Sequence, residues 1–251
     1  MTKVLKVKKV FKVKKVLKTI LACAVLGVAA YFGSQYFNCS LARNFKVDTD
    51  KRIREIKEKI EDIEKDDLKD TKSITRLGEQ YSNLGGIYLQ KSLWDQAIEA
   101  YDKSIHYGRK THGVLYSLGI AYGNRGRERD SGEDINKAEF YLKKAIEMKD
   151  NFYEAENALA ILMFYHKEEK DAAISLSEEV VSRNPKYYIG RFTLARFYYE
   201  NGAPEKALPV YEDLDSDLNK LPPSAIINEY KNQCRENIQR IMSELGSKKQ
   251  G

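Results

Sequence analysis

Between about Gly78 and Leu214 the apolar positions recur at i, i+3 and i+4, and one pattern repeats four times at a spacing close to 34 residues. Leu84-Gly85 with Tyr88, Leu118-Gly119 with Tyr122, Leu159-Ala160 with Met163 and Leu194-Ala195 with Tyr198 open the units. Each opening is followed by an amphipathic segment centred on alanine: Ala97-Ile98 with Tyr101, Ala138 with Leu142 and Ala145, Ala173-Ile174 with Val180, and Ala207-Leu208 with Tyr211. Gly85 to Gly119, Tyr88 to Tyr122 and Ala173 to Ala207 are each 34 positions apart. The spacing predicts two helices per unit, each with one buried stripe. Helices pack closely where small residues sit at the crossing, so Gly85, Gly119, Ala160 and Ala195 are expected to face Ala97, Ala138, Ala173 and Ala207. One such hairpin cannot bury its apolar face alone, so the units must stack.

The flanking segments read as helix too. From Asp48 to Leu77 the chain is strongly charged, with Ile53, Ile56, Ile60 and Ile63 at 3-4-3 spacing and Asp67 at the next seam position. This predicts a stalk helix leading into the first unit, or a packing face, and leaves open a coiled-coil contact between copies, although two heptads are short for one. In the second unit Tyr122 to Ala138 spans 16 positions where Tyr88 to Ala97 spans nine, so seven extra residues fall within GNRGRERDSGED. Their polarity and glycines predict a solvated loop. In the fourth unit Pro209 is expected to bend the helix that Pro204 starts. Asp215 to Pro223 reads as a break, after which Ser224 caps a last helix with a stripe of Ile226, Ile227, Tyr230, Cys234, Ile238, Ile241 and Leu245 and Gly246 as its stop.

Two-helix units of this length resemble the tetratricopeptide repeat family, in its membrane-anchored bacterial form. The resemblance implies an all-α, right-handed α-solenoid of helix-turn-helix repeats with an N-terminal transmembrane helix and a C-terminal capping helix. The implied boundaries are a basic segment at 1–18, an anchor at 19–38, a stalk at 39–77, repeats at 78–111, 112–152, 153–187 and 188–221, and the cap and tail at 222–251. In the family the first helix of each repeat lines the concave side. Carried over, that face presents Ser82 and Gly86, then Tyr116 and Ile120, then Asn157, Ile161 and Tyr165, then Phe192, Arg196 and Tyr199. Aromatics beside arginine suit a protein or peptide partner, and the alternative is that several of these residues pack between repeats or under the last helix. The places used by the chaperone-binding branch to hold a terminal carboxylate carry Ser82, Gly86, Ser117, Glu154 and Ala158 here, so chaperone-tail binding is not expected.

Charge and hydropathy bear on the N-terminus. The formal charge of +6 is concentrated in residues 1–18, which hold eight Lys and no acidic residue, leaving 35 basic against 37 acidic residues elsewhere. The folded part is not basic, which argues against nucleic-acid binding. The stretch TILACAVLGVAAYFGSQYF, Thr19 to Phe37, carries no charge. Its length of about 28 Å suffices for one span of a bilayer's hydrocarbon core. The alternatives are a cleaved signal with Val28-Ala29-Ala30 as its site, and lipidation at Cys23 or Cys39. The preceding lysines would touch anionic lipid. They outnumber the basic residues that follow, so the N-terminus is expected in the cytoplasm and the repeats on the periplasmic or other extracytoplasmic side, with the reverse topology as the alternative.

No catalytic chemistry is legible. The three cysteines form no disulfide framework, and His106, His112 and His166 have no partner at ligand spacing. There is no nucleophile motif and no phosphate-binding loop after a strand, so no catalytic, cofactor or metal residues are assigned. The expected function is a non-enzymatic scaffold or adaptor, membrane-anchored and assisting assembly of an envelope complex. The alternatives are a mainly structural protein self-associating through stalk or span, or a cytoplasm-facing recruitment adaptor.

Overall fold

The computed structural model describes residues 49–65 and 70–248. The expected anchor at residues 19–38 and the basic segment before it lie outside the described residues, among which no helix is long and apolar enough to cross a membrane. Those residues form ten α-helices and no strand: α1 Thr49–Lys65, α2 Thr71–Gln90, α3 Trp94–His106, α4 His112–Arg129, α5 Gly132–Met148, α6 Tyr153–His166, α7 Lys170–Arg183, α8 Tyr188–Glu200, α9 Pro204–Asn219 and α10 Ala225–Lys248. Several starts are capped as the local sequence dictates. The side chains of Asp70, Thr111, Ser131 and Ser224 accept hydrogen bonds from the amides of Lys72, Val114, Asp134 and Ile227, satisfying donors that a helix start leaves open.

The pairs α2–α3, α4–α5, α6–α7 and α8–α9 are the four hairpins, and each packs on the next. The first helices also meet one another, α2 with α4, α4 with α6 and α6 with α8, and so form an inner layer. Being packed on several sides, Val114–Tyr122 of α4 and Ala155–Leu162 of α6 are buried without a break.

The small residues sit in the layer as expected, but their partners lie one turn further on. A Cβ added to Gly119 would come 2.7 Å from Leu142 Cγ, and one on Gly85 would come 2.9 Å from the Tyr101 ring. Ala138 instead lies under Gly123, at 3.6 Å from such an atom. The glycines thus make room for the large residue that follows each alanine, while Ala97, Ala138, Ala173 and Ala207 are themselves fully buried.

The flanks and spacers depart in part from expectation. Of the two readings of the isoleucine seam, stalk or packing face, the structure shows the packing face: Ile56, Ile60 and Ile63 are buried against Leu77, Tyr81, Leu84 and Ile87. Helix α1 folds back on α2, with Lys91 Nζ 2.5 Å from Asp50 Oδ1 at one end and Tyr81 Oη donating to Glu64 at the other, and so covers the first repeat with a charged outer face. The seven extra residues of the second repeat make no loop. They lengthen α4 to 18 residues and α5 to 17, against 13 or 14 in α6, α7 and α8, and the chain reverses at Asp130 in the left-handed region (φ 53°). The break expected over Asp215 to Pro223 is present but shorter, at residues 220–224. Helix α9 runs through the exposed Pro209 to Asn219 because Leu218, one turn beyond Leu214, is buried, and α10 continues past Gly246.

Helix α10 closes the other end. Cys234 and Ile241 pack with Phe192, Tyr211, Leu214 and Leu218. Burial pushes the Cys234 thiol from its ordinary 9.0 up to about 12, and the Tyr101 hydroxyl from 10.0 up to about 12. Both groups are held protonated by the fold. The stability they represent is complete below the ordinary thiol value and declines as pH rises toward about 12. The urea midpoint is therefore expected to fall between about pH 9 and 12, less steeply in Cys234→Ala, and a midpoint flat across that window would contradict the assignment.

Candidate partner-binding surface

Of the ten expected inner-face residues five are core, and Ser82 and Gly86 are half-buried. Tyr116, Ile120, Asn157, Ile161 and Phe192 are buried, Tyr116 against Phe152 with ring centroids 5.2 Å apart, and Phe192 against Tyr211 at 5.4 Å and Tyr230 of α10 at 6.3 Å. Tyr165, Arg196 and Tyr199 reach the surface, Tyr165 with 36% of its area exposed. The structure brings two of these three together. The Arg196 guanidinium lies 5.3 Å from the Tyr165 ring, within cation–π range, and Phe164, stacked on Phe197 at 4.2 Å, fixes the end of α6 beside them. Arg196 Nε is 3.9 Å from Glu200. The Tyr199 hydroxyl donates to Glu244 of α10 at 2.6 Å, so the last helix reaches this rim.

Sequence reasoning missed Asn124 and Arg127. They stand four and seven positions after Ile120, on the stripe that Ile120 occupies. Asn124 Nδ2 donates to the Ile120 carbonyl at 2.9 Å, and its Oδ1 accepts from Arg127 Nη2 at 2.9 Å. Burial pushes the Arg127 guanidinium below its ordinary range. Burial, and then the charge of Arg127, lower the imidazole of His166 at the end of α6. The signal is present in the continued helical spacing, but the polar, glycine-containing composition favours a loop.

The surroundings of this rim are tied down. Arg125 holds Asp134 through two bonds of 2.7 Å and Asp95 at 2.8 Å, Arg129 pairs with Asp95, and Trp94 Nε1 donates to Glu128 at 2.7 Å. The extra turn of α4 is thereby fixed to the start of α3. A second concavity of about 370 Å³ lies between α1 and α3, over Ile60, Tyr81, Leu84 and Tyr88, with Lys57 and Glu61 on its edge. No group of three or more His, Cys, Asp and Glu among the described residues could hold a metal ion.

Stacked hairpins with small residues between them are the architecture of the tetratricopeptide-repeat proteins, and residues 119–152 match the tetratricopeptide repeat family model. Over 71 residues the chain is 30% identical to the photosystem I assembly protein Ycf3 of Prochlorococcus marinus strain MIT 9301, which covers 28% of this chain and 41% of that protein. It thus spans about two fifths of the length of the curated relatives it matches. Among solved structures, a thermophilic tetratricopeptide-repeat protein of Thermus thermophilus superposes with a TM-score of 0.55 at 14% identity, covering 80% of this chain and 98% of that one. YrrB, described as having an unusual peptide-binding site, superposes with a TM-score of 0.50 at 17% identity over 73% of this chain and 86% of its own. At these identities the structural likeness establishes the fold.

Proposed function

We propose that the chain is a membrane-anchored tetratricopeptide-repeat scaffold that holds a protein or peptide partner during assembly of a larger complex. The observation that carries this reading is the rim where Tyr165, Arg196 and Tyr199 stay accessible while Tyr116, Ile120, Asn157, Ile161 and Phe192 are packed. Aromatic and arginine side chains on a rigid support are what interface hot spots use. The name of the Prochlorococcus relatives, an assembly protein, favours the same role. Thr19 to Phe37 supplies the anchor in this reading, with the N-terminus cytoplasmic, the lysines near anionic lipid and the repeats on the extracytoplasmic side, serving an envelope complex.

The test is in-cell photo-crosslinking of the full chain with the crosslinker at Tyr165 or at Phe140, an exposed residue of α5. A discrete adduct from Tyr165, lost in Tyr199→Ala and absent from Phe140, is expected. Equal adducts from both positions, or none from Tyr165, would remove the rim as the docking surface.

A further inference from the structure

We propose that the end of α10, residues 242–248, is a built-in occupant of the rim: it rests on Tyr199 in this structure and lifts off when the partner docks. This rests on the rim being the docking surface. The burial of α10 falls away along its length. Cys234 and Ile241 are fully buried, whereas Leu245, one turn after Ile241, is half-buried and none of residues 242–246 is buried. The seal over the last repeat is thus complete at Ile241, and the helix runs on for two more turns. Leu245 packs at the edge of the core that Phe192 and Tyr211 share, and the Tyr199 hydroxyl donates to Glu244 at 2.6 Å. Tyr199 stands one turn after Arg196, whose guanidinium lies 5.3 Å from the Tyr165 ring, so this strap covers one end of the docking surface.

The sequence of the strap does not favour a helix for its own sake. Glu244 brings a carboxylate toward the negative end of the helix dipole, where it weakens the helix. Gly246 lowers helix stability further, and a Cβ there would have nothing within 4 Å, so no close approach requires a glycine. What holds the segment is its contact with Tyr199 and the edge of the core. Such a turn opens locally while the helix up to Ile241 stays packed. Partner and strap compete for Tyr199, and the apparent affinity is lowered by the fraction of chains in which the strap is closed.

The experiment compares hydrogen exchange and the crosslink from position 165 in the full chain, in Glu244→Ala and in Met242→Ala, whose native side chain is 56% exposed. By helix preference alone, alanine at 244 would slow exchange at residues 244–248. The strap predicts the reverse: exchange there about threefold to tenfold faster, residues 234–241 unchanged, and the adduct per chain raised about threefold. Met242→Ala should change neither. In the wild-type complex the amides of residues 244–248 should exchange faster than in the chain alone. Slower or unchanged exchange in Glu244→Ala, or added protection of residues 244–248 in the complex, would overturn the strap. Faster exchange with an unchanged adduct also overturns it and leaves the docking surface in place. Absence of the adduct from all three chains removes the docking surface, and the strap's role with it.

Discussion

Arg125→Ala is expected to destabilise the fold by about 3–5 kcal/mol, because it strips the bidentate ion-pair partner from a buried carboxylate. Asp134 is buried in the first turn of α5 and receives both Nε and Nη2 of Arg125. The guanidinium also reaches Asp95 at the start of α3, so the substitution unfastens the second repeat from the first as well. Hydrogen bonds from Arg125 hold Asp134 below the ordinary 3.8, and those from Arg129 and Arg125 do the same for Asp95. Their stabilisation is present above 3.8 and is lost as pH falls through the depressed values. The difference between wild type and variant in urea unfolding should therefore be largest near pH 7 and narrow as pH falls below 3.8. A gap below about 1 kcal/mol at neutral pH would mean that the cluster behaves as a surface pair.

Gly119→Leu should weaken the stack by about 3 kcal/mol or more, since the first added carbon already falls inside van der Waals contact with Leu142, which is buried on α5. Gly119→Ala tests the same contact with one atom. It gains about 1 kcal/mol of helix propensity, yet the contact at 2.7 Å from a branched carbon leaves no room for it. Gly123, one turn later on the same helix, provides the opposite sign. There a Cβ would rest 3.6 Å from Ala138 and 3.7 Å from Leu162, ordinary distances, so Gly123→Ala is expected to stabilise by about 1 kcal/mol. Thermal melts of the three variants decide the point, and equal melting temperatures for Gly119→Ala and Gly123→Ala would show that the close approach is not there.

The repeat was legible because its signal is steric and local. A glycine or alanine at the same place in each unit, followed by alanine-centred helices, leaves few other ways to pack. What the spacing could not convey was which large side chain fills each notch: Tyr101 and Leu142 stand one turn beyond the alanines, and that offset depends on how two helices cross. The isoleucine seam of α1 showed a buried face without saying against what, and the first repeat met that need before a second copy could. The lengthening of α4 and α5 was hidden for a different reason. GNRGRERDSGED has the composition of a loop, and its helices are held by partners that spacing does not reveal: Asp95, some 30 residues away, for Arg125 and Arg129, and Asp134 across the turn for Arg125. The inner face was legible as a stripe but not as a surface, because close contact among the first helices buries Tyr116, Ile120, Asn157 and Ile161 and leaves accessible what lies at their ends.

Hydrogen exchange on the full chain, alone and in complex with the protein captured at Tyr165, would locate the occupied surface without substitutions. Added protection is expected at the amides of residues 165–166 and 196–200, with those of residues 140–148 and of the concavity between α1 and α3 unchanged. Protection confined to α5 or to that concavity, with the rim exchanging as before, would place the partner elsewhere on the solenoid.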